Sequence, residues 1–174
     1  MKFFLIGFMG AGKTTIGKYA AKKNDLHFLD LDDYIEKKLN TNIRDLFKEK
    51  GEAYFREEER KALEEVCAID DMNLLVSCGG GTPCFFDNMD VMNAAGHTFY
   101  LDMSAARLTD RLRNAKKKRP LINSIQGDLQ TFVHRKLVER ANFYGQSQTI
   151  VSERKCNKKD VAILIMDILL ESEA

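Results

Sequence analysis

Gly7, Gly12, Lys13 and Thr14 stand in the spacing G-x-x-x-x-G-K-[ST], within Gly7-Phe8-Met9-Gly10-Ala11-Gly12-Lys13-Thr14. That spacing describes a loop whose successive backbone N–H groups cradle a phosphate. Glycines let the chain curl tightly enough to aim those groups at one anion. A helix opening directly after the loop adds the positive end of its dipole. Lys13 is then placed to reach the β- and γ-phosphates of a nucleotide, and the Thr14 hydroxyl to ligate a magnesium ion. The flanks agree: Lys2–Ile6 (KFFLI) reads as a buried strand, and Lys13–Lys23 reads as a helix without proline.

A second group of residues is acidic. Asp30-Leu31-Asp32-Asp33 closes another apolar run. In an extended chain Asp30 and Asp32 point the same way. One carboxylate suits a magnesium shell and the other suits accepting a proton from a hydroxyl. Helix capping is the alternative, since acids belong at the start of the Tyr34–Leu39 helix: Asp33 reads so, whereas Asp30 and Asp32, facing the phosphate loop, read as functional. A third group is Gly79-Gly80-Gly81, directly after the strand-like Leu74–Cys78. Three glycines in a row at a strand end suggest that a ligand approaches bare backbone.

Helical phase singles out two arginines. Phe55, Ala62, Leu63, Val66 and Cys67 share one face of a helix over Glu52–Ala68, and Arg56 and Glu59 fall inside that face. Leu129, Phe132, Val133, Leu137 and Ala141 form a second stripe, with Arg140 inside it. A charge within an apolar stripe must be paired or must face a wet cavity. Arg56, oriented by Glu59, and Arg140 are therefore candidates for one anion site, since an arginine fork suits a carboxylate bidentately. A structural ion pair or a snorkelling stem would leave the same pattern. Arg119, within Lys116-Lys117-Lys118-Arg119-Pro120, lies in a poorly patterned stretch from about 114 to 127 that reads as a lid closing on the transferring phosphate. Cys78 and His97 read as packing residues and His134 as exposed.

The elements that must position these groups alternate. Strands are expected at Lys2–Ile6, Leu26–Asp30, Asn73–Cys78, His97–Asp102 and Gln148–Ser152. Helices are expected at Lys13–Lys23, Asp33–Leu39, Ile43–Lys50, Glu52–Ala68, Asn88–Ala95, Ala105–Arg113, Leu129–Ala141 and Asp160–Leu170. Alternation implies a parallel sheet covered on both faces, with ligands at the carboxyl ends of its strands. Four loops should meet there: Gly7–Thr14, Asp30–Asp33, Gly79–Thr82 and the segment after Asp102. The 174 residues suit one domain. A net charge of +1 offers no general attraction to nucleic acid or membrane. Cys67, Cys78, Cys84 and Cys156 lack zinc or redox spacing, so reduced thiols are expected. No signal peptide or spanning run is visible, and a cytoplasmic protein is expected. So is a monomer, for want of an exposed apolar repeat.

Taken together, Gly7–Thr15 (GFMGAGKTT), Asp30-Leu31-Asp32, Phe55-Arg56, Gly79-Gly80-Gly81, Arg119-Pro120-Leu121 and Arg140 with Tyr144 (R-x-x-x-Y) resemble the shikimate kinase family. They occur in the family's order across most of the chain. The resemblance implies a three-layer α/β/α fold of the nucleoside monophosphate kinase type. Its five-stranded parallel sheet has the order 2-3-1-4-5, with a substrate-binding subregion over about 32–60 and a lid over about 113–127. It implies transfer of the ATP γ-phosphate to the 3-hydroxyl of shikimate, on the route to chorismate and the aromatic amino acids. Gly10, Ala11, Gly12, Lys13, Thr14 and Thr15 would hold ATP, with Arg111 beside the adenine and Arg119 on the phosphates. Asp32 would bind the substrate hydroxyls and act as base. Arg56, Arg140 and the Gly79–Gly81 backbone would hold shikimate. Thr14 would ligate Mg²⁺, with Asp30 acting through water. Lys13, Asp32 and Arg119 would be the catalytic set. Where the family carries Arg-Asn-Pro before its last helix, this chain has Arg154-Lys155-Cys156-Asn157, so adenine contacts there stay unassigned.

Three rivals remain. Asn157-Lys158-Lys159-Asp160 matches the N-K-x-D of GTPase switches, but no D-x-x-G accompanies it, and it reads as a helix start with a capping Asp160. A gluconate or nucleoside monophosphate kinase would share the phosphate loop. A nucleic-acid module would rest only on Lys116–Arg119, which lacks interleaved aromatic residues.

Overall fold

The computed structural model describes residues 1–114 and 127–173. Arg119 and the lid expected around it lie outside the described residues. Five strands, β1 (Lys2–Ile6), β2 (His27–Asp30), β3 (Leu74–Ser77), β4 (His97–Leu101) and β5 (Thr149–Val151), form one sheet of order β2-β3-β1-β4-β5. Every pairing is parallel, with Lys2 opposite Leu74, Phe3 opposite His97, His27 opposite Leu74 and Phe99 opposite Thr149. The expected order is borne out.

Period-two alternation along the strands divides the core into two halves. Phe3 and Leu5 of β1 point to one face with Leu75 and Phe99, while Phe4 and Ile6 point to the other with Leu74 and Val76. Over the first face lie α1 (Lys13–Lys23), α5 (Ala105–Asn114), α6 (Leu129–Tyr144) and α7 (Lys158–Glu173), contributing Ile16, Leu108, Val133 and Ile165. Over the second lie α2 (Leu31–Leu39), α3 (Ile43–Cys67) and α4 (Asn88–Ala95), contributing Ile35, Leu63 and Met92. Each fully buried Leu, Ile or Phe contributes about 1.5–3 kcal/mol, so both layers are held chiefly by these stripes.

Helix boundaries follow local chemistry. Gly51 has φ 82 and ψ 172, which breaks α3 into the two helical segments read from the sequence. A residue with a side chain resists that φ. Helix α2 begins at Leu31, two residues before the expected start, because Asp30 caps it by accepting from the Asp32 N–H. Asp33 is exposed in the first turn. Helix α7 begins at Lys158, and its cap is Asn157 rather than the expected Asp160. Asn157 Oδ1 accepts from the Lys159 and Asp160 N–H groups at 3.0 and 3.1 Å. Helix α6 runs to Tyr144, three residues past its expected end, and Ala141 of its expected stripe is exposed. Burial of Tyr144 explains the extension. Among the described residues no helix is long and apolar enough to cross a membrane.

Candidate active site

A cleft opens at the carboxyl ends of β1, β2 and β3. Gly10, Lys13 and Thr14 form one wall, Asp30 and Asp32 another, and Gly79 and Gly80 a third. Three of the four expected loops therefore meet. The fourth lies behind the phosphate loop instead of lining this cleft: Met103 reaches Arg111, and Asp102, Met103 and Ser104 line a groove on the β5 side.

The phosphate loop is preorganised. Gly12 adopts φ 98 immediately before α1, and no side chain caps that helix, so its first N–H groups face the cleft end. Lys13, nearly buried, donates to the Gly7 and Phe8 carbonyls at 2.7 and 3.2 Å. Arg111, expected beside the adenine, reaches the loop from α5. Its Nη1 donates to the Gly10 and Ala11 carbonyls at 3.2 and 2.9 Å and lies 3.4 Å from Met103 Sδ. Ala11 itself is buried behind the loop, and Thr15 faces the cleft.

Asp30 and Asp32 do share the cleft, but not by strand alternation. The strand ends at Asp30, and Asp32 is already in the first turn of α2. One carboxylate is a strand-end cap and the other a helical side chain. Thr14 Oγ1 donates to Asp30 Oδ2 at 2.8 Å. A hydroxyl and a carboxylate together are the hard oxygen donors that magnesium takes alongside phosphate oxygens and water. Asp32 is pushed up from 3.8 to about 6. Burial is the largest cause, then the charges of Asp30 and Glu59, against the opposing pull of Lys13 and Arg56. A carboxylate in that range suits a general base near neutral pH.

The two stripe arginines converge on the glycine run. Arg140 Nη1 donates to the Gly80 carbonyl at 2.9 Å, and Tyr144 Oη donates to the same carbonyl at 2.6 Å. A Cβ on Gly81 would stand 2.6 Å from Arg56 Nη2, and one on Gly80 would stand 3.2 Å from the Met9 amide nitrogen. Gly81 has φ −97, open to any residue, so this run needs glycine for close approach rather than for backbone freedom. Arg56 Nη1 donates to Glu59 Oε2 at 2.7 Å, and Glu52 Oε1 takes Nη2 and Nε at 3.1 and 3.3 Å. Glu59 is fully buried and also accepts from Thr82 Oγ1. Glu59 thus orients Arg56, as its helical phase suggested. By contrast Arg60, one residue on from Glu59, is a plain structural tie to Asp87 and Asn88.

Sequence reasoning missed Thr82, whose hydroxyl completes Glu59, and Phe85, whose ring lies under Arg56 at 4.0 Å. It also missed Phe8, 5.4 Å beneath Arg140. For Thr82 a signal existed, a hydroxyl residue directly after the glycine run. Cys78 is buried with its thiol pushed well up by burial, His97 bonds Thr149, and His134 is exposed, all as expected.

A glycine loop after the central strand of a 2-3-1-4-5 parallel sheet, faced by a raised carboxylate and two converging arginines, defines a P-loop kinase acting on a small anionic alcohol. The shikimate kinase family model matches residues 9–169. A shikimate kinase of Phocaeicola vulgatus is 49% identical over 148 residues, covering 84% of this chain and 83% of that one. The crystal structure of the Bacteroides thetaiotaomicron shikimate kinase superposes with a TM-score of 0.87 at 41% identity, covering 98% of each chain. A shikimate kinase from Acinetobacter baumannii in complex with shikimate superposes at 0.85 with 27% identity, over 98% of this chain and 93% of that one. The chain belongs to the shikimate kinase family and is an ATP-dependent kinase of shikimate.

Proposed function

We propose that this enzyme transfers the ATP γ-phosphate to the 3-hydroxyl of shikimate with Asp32 as the base, the substrate carboxylate being held between Arg56 and Arg140. The observation that carries this reading is the raised Asp32 carboxylate, which lines the same cleft as Lys13, Thr14 and Gly79. The phosphate loop from Gly10 to Thr15 binds the triphosphate through its amides. Lys13 balances charge on the transferring phosphoryl, and Asp32 orients the hydroxyl and takes its proton. Gly79–Gly81 keep the cleft wall thin enough for both arginines to reach the substrate. Most of the rate enhancement in this chemistry is positioning and charge stabilisation. Thr14 and Asp30 are the donors that would hold Mg²⁺, which supplies charge neutralisation at the phosphates. Arg119, outside the described residues, would close on those phosphates from a lid over about 113–127. Arg111, from its place behind the phosphate loop, would neighbour the adenine.

The chain works in this reading as a single domain over 1–174, with a substrate-binding subregion over about 32–60. It acts as a monomer without nucleic-acid or membrane partners, on the route to chorismate. Its four free cysteines suit the reducing cytoplasm. The test is a coupled ADP-release assay with Mg²⁺–ATP, comparing shikimate, gluconate, AMP and no acceptor. Release with shikimate alone is expected. Release with AMP in its place would remove the carboxylate-clamp assignment, whereas release with gluconate, itself a carboxylate, would remove shikimate as the acceptor and leave the clamp standing.

A further inference from the structure

Two anchors of Arg56 act on its edges. Glu59 holds Nη1 at 2.7 Å, and Glu52 holds Nη2 and Nε at 3.1 and 3.3 Å. Bonds at the edges restrain the tilt of the guanidinium plane less than a group packed on its face does, and a planar fork pairs bidentately with a carboxylate in one plane only. The tilt is opposed by aromatic faces. Arg56 Cζ lies 4.0 Å from the ring centre of Phe85 and 5.0 Å from that of Phe55. The shorter contact comes from outside α3, so it also ties Arg56 to the glycine run.

The segment that presents Phe85 is stiff. Thr82–Cys84 is a 3₁₀ turn containing Pro83, with the Cys84 N–H bonded to the Gly81 carbonyl at 2.8 Å. Asn88 Nδ2 holds the Thr82 carbonyl at 2.7 Å, and Arg60 holds Asp87 at 2.6 Å. Phe86 takes φ 51, a left-handed conformation that is unfavourable for an aromatic residue, and its side chain is 60% exposed. Such a residue persists where its surroundings over-determine it. With the backbone turned at Phe86, one phenyl ring faces solvent while the centre of its neighbour's ring lies 4.0 Å from the guanidinium carbon of Arg56.

We propose that Phe85 is a positioning residue for shikimate, setting the plane of the Arg56 guanidinium through its ring face. The inference rests on the proposed role of Arg56 at the substrate carboxylate. A contact of this kind affects ligand affinity by a few-fold to tenfold.

The test is a double-mutant cycle read in KM for shikimate and KM for ATP. Phe85→Leu is expected to raise KM for shikimate about threefold to tenfold, with KM for ATP within about twofold. Phe85→Tyr, which keeps the ring, is expected to restore KM. In an Arg56→Ala background, Phe85→Leu is expected to add less than about a twofold change. Should Phe85→Leu lose its cooperative melt, Phe85→Met carries the same comparison. A full Phe85→Leu effect in the Arg56→Ala background, or no recovery with Phe85→Tyr, would overturn the proposal while leaving the Arg56 assignment intact. An Arg56→Ala variant with unchanged KM for shikimate would overturn both.

Discussion

Asp32 Oδ1 and Glu59 Oε1 converge on the same bare Cα, since a Cβ on Gly79 would stand 3.0 Å from the first and 3.2 Å from the second. Two carboxylates so placed resist ionising together. Glu59 has Arg56 and Thr82 to stabilise its charge. Burial first, then the charge of Asp30 and then that of Glu59 push the Asp32 carboxyl up to about 6, against the pull of Lys13 and Arg56.

A pH dependence follows for Asp32. Its folded pKa lies above its ordinary 3.8, so the native state binds the proton more tightly. The stability this contributes is fully present below about pH 4 and is lost as pH rises through about 6. Asp32→Asn should therefore melt higher than the parent at pH 7.5, by up to about 3 kcal/mol, with the difference closing toward pH 4. The same variant should lose turnover. The parent's kcat/KM should fall on the acid side with an apparent pKa of about 6. Thermal melts and a pH–rate profile check both, and a flat acid limb would remove Asp32 as base.

Gly81→Ala tests the close approach of the glycine run to Arg56. Its backbone angles accept alanine, but the new Cβ would sit 2.6 Å from Arg56 Nη2. The flexible end of Arg56 must move away. KM for shikimate should rise about tenfold, a loss of about 1.4 kcal/mol, and the melting temperature should fall as well, because buried Glu59 loses the Arg56 end that it pairs with. Steady-state kinetics beside calorimetry would show both effects.

Tyr144→Phe removes the 2.6 Å hydrogen bond to the Gly80 carbonyl from a fully buried side chain. Arg140 still donates to that oxygen, so the carbonyl is not orphaned. The expected cost is about 1 kcal/mol, or a fall in Tm of about 2–4 °C. A drop several times larger would mean that Arg140 is displaced as well.

Lys13→Ala and Arg140→Ala should fail in different ways. Lys13→Ala removes the charge partner of the transferring phosphoryl and should abolish measurable kcat. Arg140→Ala should raise KM for shikimate at least about tenfold while KM for ATP stays within about twofold. Equal effects of Arg140→Ala on the two substrates would contradict its assignment.

What was legible in the sequence was what periodicity and spacing encode. The five strands, the break at Gly51 and the phosphate loop fell where the pattern put them. Arg56 and Arg140 were visible because a charge inside an apolar stripe is costly unless something answers it. Asp32 was placed in the right cleft for the wrong local reason. Alternation assumes a strand, whereas Asp30 caps a helix at that point and hands Asp32 to it. Cap geometry depends on one side-chain hydrogen bond, which hydrophobic patterning does not register. Phe85 was invisible because its partner lies 29 positions away on α3, and pairing at such range depends on how β3 and α3 pack; Thr82 carried a signal, a hydroxyl directly after the glycine run, but nothing local pointed to Glu59, 23 positions away. Arg111 carried no pattern signal for its grip on the Gly10 and Ala11 carbonyls.

The sheet keeps the two core halves apart, and among the described residues Leu137 alone is packed against both. Free-energy changes at positions on opposite faces should therefore sum, as they do for sites without shared partners. Ile16 and Leu63 form such a pair. Leu137 breaks that independence. It sits one turn before Arg140 on α6, so a substitution there should couple to partners in either half, with non-additive effects on both sides of the sheet at once.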